Sequence, residues 1–462
     1  MEQQLVFDEA LIRKYDTSGP RYTSYPTAPQ FTTDFTAEDY RQAALLSNED
    51  AIPRPLSLYL HIPFCNTVCY YCACNKVVTK DRGKAEPYLQ RLYNEISMQA
   101  RLFDQDRHVV QLHLGGGTPT FISDAQMTTL MHQLRRHFRL SDDDSAEYSI
   151  EIDPREVSDT TIGVLRELGF NRISLGVQDV NDAVQQAVNR RQSIALTESV
   201  IQTIRDHQYH SISLDLMYGL PLQTPDSFNQ TLDRVIQWQP DRISVFNYAH
   251  MPHLFKPQRR ISQTDLPTAK EKLAILHNTV TRLLEAGYVY IGMDHFARPN
   301  DELAIAQQQG TLSRNFQGYS THAECDLIAM GITAIGKVGD TYSQNVRRLD
   351  EYSELIDKHQ LPVMRGYQLS IDDLCRRQLI EDLMCQYRVN FDDYELGYGI
   401  RFGEYFQHEL QQLQAMQQDG LLIISDTAIE VQPVGRLLIR NICMVFDHYL
   451  PAATEQKFSR VI

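Results

Sequence analysis

Three observations predict an α/β fold in which parallel strands curve into a partial barrel. Short apolar runs alternate with amphipathic helical patterns, the strand–helix pair recurs six times, and glycine-rich or polar motifs stand just after successive strands. Such alternation gives a parallel sheet with right-handed crossovers. Six units are too few to close an eight-fold barrel, and the active site of this architecture belongs at the C-terminal strand ends.

In chain order, the expected strands are 56–61, 109–114, 148–152, 172–177, 212–217 and 243–247, with 289–293 as a candidate seventh. The helices between them are expected at 88–103, 125–138, 160–168, 196–207, 227–238 and 269–286. In the first of these, Leu89, Leu92, Tyr93, Ile96 and Ala100 recur at helical spacing on one face. Gly169 and Gly287 stand where helices should stop. Ahead of the strands, residues 14–28 read K-Y-D-T-S-G-P-R-Y-T-S-Y-P-T-A. Glycine and two prolines discourage regular structure there. The segment reads as a strap on the body or an arm over the active-site mouth, with Arg21 able to meet a carboxylate. After residue 366 the pattern turns helical (371–387, 402–418 and 433–449), with a hairpin at 420–424 and 429–431. Helices with a hairpin resemble a winged helix, read here as a lid or scaffold. The expected domains are thus an N-terminal arm at 1–54, the barrel at 55–366, and a smaller, mainly helical, winged-helix-like domain at 367–462.

Composition narrows the function. Forty-four basic against 59 acidic residues leave a net charge of −15, which opposes non-specific binding to nucleic acid or an anionic membrane. The start, M-E-Q-Q-L-V-F-D-E-A, does not read as a signal peptide, and no apolar run approaches the roughly 18 residues of a membrane span. A cytoplasmic protein is expected. In that compartment a dense group of cysteines holds metal or does redox chemistry more readily than it forms disulfides. Cys325, Cys375, Cys385 and Cys443 are scattered singly and read as core residues.

The other four cysteines, Cys65, Cys69, Cys72 and Cys74, fall within ten residues in Y-L-H-I-P-F-C-N-T-V-C-Y-Y-C-A-C-N-K (59–76), directly after the first strand. The first three are spaced C-x3-C-x2-C. Three thiolates from one loop can each take one iron of a [4Fe–4S] cube, leaving the fourth iron open unless Cys74 supplies a ligand. A zinc site, a disulfide or core cysteines are the plainer readings. Structural zinc usually recruits two separated ligand pairs, and no second pair follows. C-x3-C-x2-C after a strand resembles the fingerprint of the radical S-adenosylmethionine (SAM) enzymes.

Further motifs follow the other strands: Gly115-Gly-Gly117-Thr118-Pro after the second, Glu151-Ile-Asp-Pro-Arg155 after the third, Gly176-Val-Gln178-Asp179 after the fourth, and Asp215-Leu-Met-Tyr-Gly after the fifth. Taken singly, each polar residue is more often a cap or surface group. A barrel, however, points strand-end groups at one place. Beyond the strands, G-M-D-H-F-A-R-P (292–299) and R-N-F-Q-G-Y-S-T (314–321) are dense in ligand-binding residue types.

Taken together, H-I-P-F-C-x3-C-x2-C-x-C-N, G-G-G-T-P-T, G-M-D-H-F-A-R-P, R-N-F-Q-G-Y and L-L-I-R-N-I-C-M resemble the oxygen-independent coproporphyrinogen III oxidase (dehydrogenase) family of radical SAM enzymes, from S-G-P-R-Y-T-S-Y-P-T to the final F-S-R-V-I. The resemblance implies that Cys65, Cys69 and Cys72 ligate the cluster and Cys74 does not. It implies that Tyr59, Gly116, Glu151 and Ile335 hold one SAM, and that Tyr71, Gly117, Thr118, Gln178, Arg190, Asp215 and Ala249 lie near a second. It further implies a 5′-deoxyadenosyl radical that takes hydrogen from a propionate β-carbon. Loss of CO2 and an electron then leaves a vinyl, and two such events convert coproporphyrinogen III to protoporphyrinogen IX. The substrate carries four carboxylates, for which Arg21, Arg298 and Arg314, with Gln317 beside them, are the candidates. An unidentified electron donor and acceptor are needed, and a monomer is expected. After Gly318-Tyr319 the chain departs from the family pattern, reading Ser-Thr-His322-Ala-Glu324 where Thr-Thr-Gln-Gly-Asp is expected. Alternatives are a haem-chaperone relative, which lacks the C-x-C-N continuation and the arm, or a non-catalytic metal- or DNA-binding protein.

Overall fold

A computed structural model describes residues 5–450 apart from residue 142, so the terminal F-S-R-V-I lies outside the described residues. The chain forms two compact units: 31–268 with 324–368, and the described parts of 1–30, 269–323 and 369–462. Each is assembled from separate stretches, a different partition from cuts after residues 54 and 366.

The first unit is the barrel. Its strands β1 (Leu56–Ile62), β2 (His108–Gly116), β3 (Glu147–Ile152), β4 (Arg172–Gln178), β5 (Ser211–Tyr218) and β6 (Arg242–Asn247) follow the expected apolar runs. They lie in the order β6-β5-β4-β3-β2-β1, every neighbour parallel. Helices between them cover the sheet, so strands such as β1 are buried almost end to end. Ala85–Ala100 turns Leu89, Leu92, Ile96 and Ala100 inward, as the spacing predicts, while Tyr93 at the edge of that face is only half-buried. Ser123 and Gln126 form a capping box that starts Asp124–His137.

The seventh parallel strand is not 289–293. Asp326–Met330 (β7) pairs with the free side of β1, and antiparallel β8 (Ile335–Val338), β9 (Thr341–Asn345) and β10 (Val363–Gln368) extend the sheet. Val289–Gly292 instead makes an antiparallel hairpin with His295–Ala297. Only two residues join those strands, Met293 at φ +51° being one, and a parallel return needs a crossover of a dozen or more.

Glu95 ties the added strands to the helix Ala85–Ala100. Its carboxylate is fully buried and accepts from Gly331 N (2.8 Å), Asn345 Nδ2 (2.8 Å) and Tyr352 Oη (2.6 Å). Burial raises its pKa to about 7, against these bonds, which lower it. The folded chain then binds this proton more tightly than the unfolded chain does. Stability from this group is therefore complete below about pH 4.5 and declines as pH rises to about 7, by something on the order of 3 kcal/mol. Urea midpoints taken between pH 4.5 and 8 are expected to show that slope, and Glu95→Gln to flatten it.

In the second unit, Ile371–Gln386 and Phe391–Tyr398 precede Phe402–Tyr405 and Gln407–Gln418. The helix expected at 402–418 breaks at Phe406, whose backbone (φ −102°, ψ 26°) is non-helical while its ring is buried against Phe402 and Phe446. Leu422–Ile424 and Ala428–Val431 form the expected hairpin, and Arg388–Asn390 adds a third strand. The last helix is shorter than expected, Ile439–Val445 after the turn Arg436–Leu438. The arm is strapped onto it: Arg440 Nε donates to Pro20 O (2.9 Å) and Asn441 Nδ2 to Tyr15 O (2.8 Å). Among the described residues no helix is long and apolar enough to cross a membrane.

Candidate active site

The C-terminal ends of β1 to β6 surround a cavity of about 320 Å³, within the range of ligand pockets. The cysteine loop forms one wall. It leaves β1 through Pro63 and is closed on itself, with Val77 N donating to Pro63 O (2.7 Å) and Thr79 N to Cys65 O (2.9 Å). Phe64 anchors the turn, stacked on Phe121 and edge-on to Tyr88. Further along, Tyr70 N donates to Val188 O (2.9 Å), Asn189 Nδ2 to Val68 O (2.8 Å) and Gln258 Nε2 to Tyr71 O (3.0 Å). The loop is thus held by its backbone, and its thiols are free to face the cavity.

Cys65, Cys69, Cys72 and Cys74 all line it, and each of the first three meets a different donor. Thr118 Oγ1 lies 3.6 Å from the Cys65 sulfur. Arg190 Nη1 and Arg155 Nη2 lie 3.7 and 3.8 Å from that of Cys69. The Cys72 thiol is brought down in pKa, chiefly by a hydrogen bond from the Cys74 thiol and also by the charge of Lys76. The same bond pushes the Cys74 thiol up. Among the described residues no three His, Cys, Asp or Glu side chains converge as one ion would require, and thiols that each take a separate iron need not.

The glycine triplet follows β2. Gly117 N donates to Ile62 O and Thr118 N to Phe64 O, both at 2.8 Å. A Cβ on Gly117 would stand 2.7 Å from the Pro63 and Phe64 carbonyls, and one on Gly116 (φ +116°) would stand as close to the His61 ring. The triplet therefore lets two strand ends meet beneath the cysteines, with these two N–H groups already spent.

From β3 comes Glu151, whose carboxylate accepts from Gly116 N (3.3 Å) and lies 3.3 Å from His113 Nε2. Burial pushes its pKa up, but His113 and Gly116 outweigh this and the net shift is down. Below it Tyr59 is stacked on His113 and bonded to His61 Nδ1 (3.1 Å). Gln178 ends β4 at a bulge with φ +68°, a rare conformation that turns its side chain to the cavity. From β5, Asp215 accepts from Ser174 Oγ (2.9 Å), and burial raises its pKa to about 6.

All the residues expected at the cluster and SAM line this cavity except Tyr59, Ala249 and Ile335. Tyr59 lies beneath it, the Ala249 carbonyl accepts from Gln258 Nε2 (3.2 Å), and Ile335 opens β8. Asp179 does not line it either. It ties Gln223, Thr231 and Asn181 together, a structural role. Sequence reasoning passed over Asp153, Arg155, Ser174 and Phe246, which do line it. Asp153 and Arg155 stood inside a quoted motif, and their position after β3 was the available signal.

The substrate candidates lie in the other unit. Arg21 Nη1 donates to Asp294 Oδ2 (2.6 Å). Arg314 lies over the Tyr319 ring at 4.6 Å, with Nε and Nη1 buried and unbonded. Both polar atoms of the Gln317 side chain are likewise buried without a partner.

The donor set fits an iron–sulfur cluster with SAM. Three loop thiols face one cavity with carboxylate, amide and guanidinium groups, and Arg190 Nε is buried without a partner there.

Comparison with known proteins is consistent with this. Residues 59–235 match the Radical SAM superfamily model, and 369–438 the HemN C-terminal domain. The chain is 54% identical to the oxygen-independent coproporphyrinogen III oxidase of Pseudomonas aeruginosa, over 99% of both chains. It is 49% identical to that of Escherichia coli K12, over 100% of this chain and 99% of the relative. The solved structure of coproporphyrinogen III oxidase (HemN) from Escherichia coli, described as a radical SAM enzyme, matches with a TM-score of 0.91 and 47% identity, covering 97% of this chain and all of that one.

Proposed function

Since the chain belongs to the oxygen-independent coproporphyrinogen III oxidase family of radical SAM enzymes, we propose that Cys65, Cys69 and Cys72 hold its [4Fe–4S] cluster. The protein is an oxidoreductase that converts two propionates of coproporphyrinogen III to vinyls without oxygen, giving protoporphyrinogen IX in haem synthesis. The observation that carries this is the gathering of the loop thiols and the polar strand ends of β2 to β5 around one cavity. The haem-chaperone and non-catalytic readings are not favoured, because the oxidases match over the whole chain.

When bound, the reduced cluster and SAM supply a carbon radical able to take hydrogen from a propionate. The protein's part is binding, orientation and exclusion of competing reactions. Glu151, held by His113 and Gly116, offers a carboxylate to an ammonium group. Tyr59 supports it from below, and Gly116 and Ile335 complete the set for one SAM. Asp215 suits ribose hydroxyls and Arg190 a carboxylate. With Tyr71, Gly117, Thr118, Gln178 and Ala249 they would serve a second SAM. Cys74 stays off the iron, with its thiol pushed up in pKa by that of Cys72. Arg314, with two buried and unbonded nitrogens, and Gln317 take a substrate carboxylate, and Arg21 and Arg298 offset the remaining charge. We place the protein in the cytoplasm as a monomer served by a separate electron donor and acceptor.

Anaerobically reconstituted protein, given SAM and a strong reductant, is expected to yield 5′-deoxyadenosine and CO2 from coproporphyrinogen. It should be brown, with iron and sulfide at about four each per chain. Colourless protein holding one zinc and releasing no CO2 would sink this reading.

A further inference from the structure

Arg155 has no part in the assignments above, yet it points at the Cys69 sulfur. Asp153 caps the turn Pro154–Glu156 and accepts from the Arg155 backbone N (3.0 Å), Nε (2.9 Å) and Nη2 (2.6 Å). The same carboxylate accepts from Arg190 Nη1 (2.9 Å), and Arg190 Nη2 is held in turn by Gly176 O (2.5 Å). Both guanidiniums are thereby fixed by protein partners, and each keeps one nitrogen within N–H···S reach of Cys69 at 3.7 to 3.8 Å. Asp153 and Arg190 are more than nine-tenths buried. The other thiols have weaker company: the hydroxyl of Thr118 for Cys65, and a neighbouring thiol and an ammonium for Cys72.

We propose that Arg155, oriented by Asp153, is a positioning residue that sets the cluster's reduction potential through the Cys69 sulfur. Two cations and one anion leave a net positive charge beside that ligand. Hydrogen bonds to cluster sulfurs and local charge both tune the potential, and positive charge with N–H···S donors favours the more negative, reduced state. Arg155 therefore makes the cluster easier to reduce. This rests on Cys69 being a cluster ligand, so iron is measured in every sample.

The test is an EPR-monitored redox titration of reconstituted wild-type, Arg155→Gln and Arg155→Lys protein. R155Q is expected to hold wild-type iron yet show an approximately tenfold smaller reduced-to-oxidised ratio at a given potential, equivalent to about 59 mV for one electron. R155K keeps the charge but loses the fork and is expected to fall between the two. A wild-type midpoint in iron-loaded R155Q overturns the proposal. Should R155Q hold no iron, R155K decides: a lowered midpoint supports the proposal and an unchanged one overturns it. Iron-free wild-type protein would instead remove the ligand assignment on which all of this stands.

Discussion

Cys69→Ala protein is expected to fold normally, reconstitute with little iron, and release no measurable CO2 from coproporphyrinogen. The fold survives because the loop is anchored by its backbone, at Val68, Tyr70, Tyr71, Val77 and Thr79, rather than by its sulfurs. Cys69 also packs among Tyr71, Val184 and Val188, where an alanine still fits. What goes is one of three attachment points for the cube. Changes to outer-shell partners of a metal site alone typically cost about 10–100-fold, and losing a ligand costs more. Cys74→Ser supplies the contrast, since that thiol is not one of the three proposed attachment points and its loss should leave the iron content largely intact. Iron analysis, thermal melting and product assay on both variants check this. Full turnover by Cys69→Ala would refute the ligand assignment.

The largest expected loss of stability comes from a residue remote from the cysteines. Arg107 and Asp326 form an ion pair at 2.5 Å, with side chains only 2% and 1% exposed. Arg107 also donates to Arg54 O (2.9 Å), Ser47 Oγ (2.8 Å) and Asn48 Oδ1 (2.9 Å), while Asp326 accepts from Gly339 N (2.8 Å). The pair fastens the first residue of β7 beside the start of β1, where Asp326 N donates to Pro55 O (3.0 Å). Removing one partner strands a buried charge, which costs about 3–5 kcal/mol. Arg107→Ala is expected to lower the urea midpoint accordingly. The double variant Arg107→Met with Asp326→Leu should recover much of that loss, because replacing both charges removes the stranded one. If the single substitution costs under about 1 kcal/mol, the pair behaves like a surface bridge and does not hold β7.

The six barrel strands were legible because each is a short apolar run with a helix period after it, and their ends were legible because motifs follow them. β7 was not. Asp326–Met330 is only five residues, follows loop-like chain, and lacks a preceding helical pattern to mark it as part of the barrel. The competing 289–293 run looked equally strand-like, and only the tight turn at Gly292–Met293 shows which way it goes. At the site, residue type and strand position announced Glu151, Gln178 and Asp215. Arg155 was hidden because its significance depends on Asp153 and Arg190 meeting it across a gap of 35 residues in sequence. The break at Phe406 depends on buried aromatic packing that helix periodicity does not encode.

The late arrival of β7 has a consequence during synthesis. β1 is complete once residue 62 has been made, but its second neighbour begins at residue 326, so 326 − 62 = 264 residues must be added first. At roughly 5–20 residues per second that is a wait of about 13–50 s. Throughout it, a strand that the finished fold buries almost end to end presents an unpaired edge as it emerges from the ribosome, the kind of surface to which other chains stick. Translation that stalls within this window yields a chain ready to aggregate, whereas one stalled beyond β7 has that edge covered.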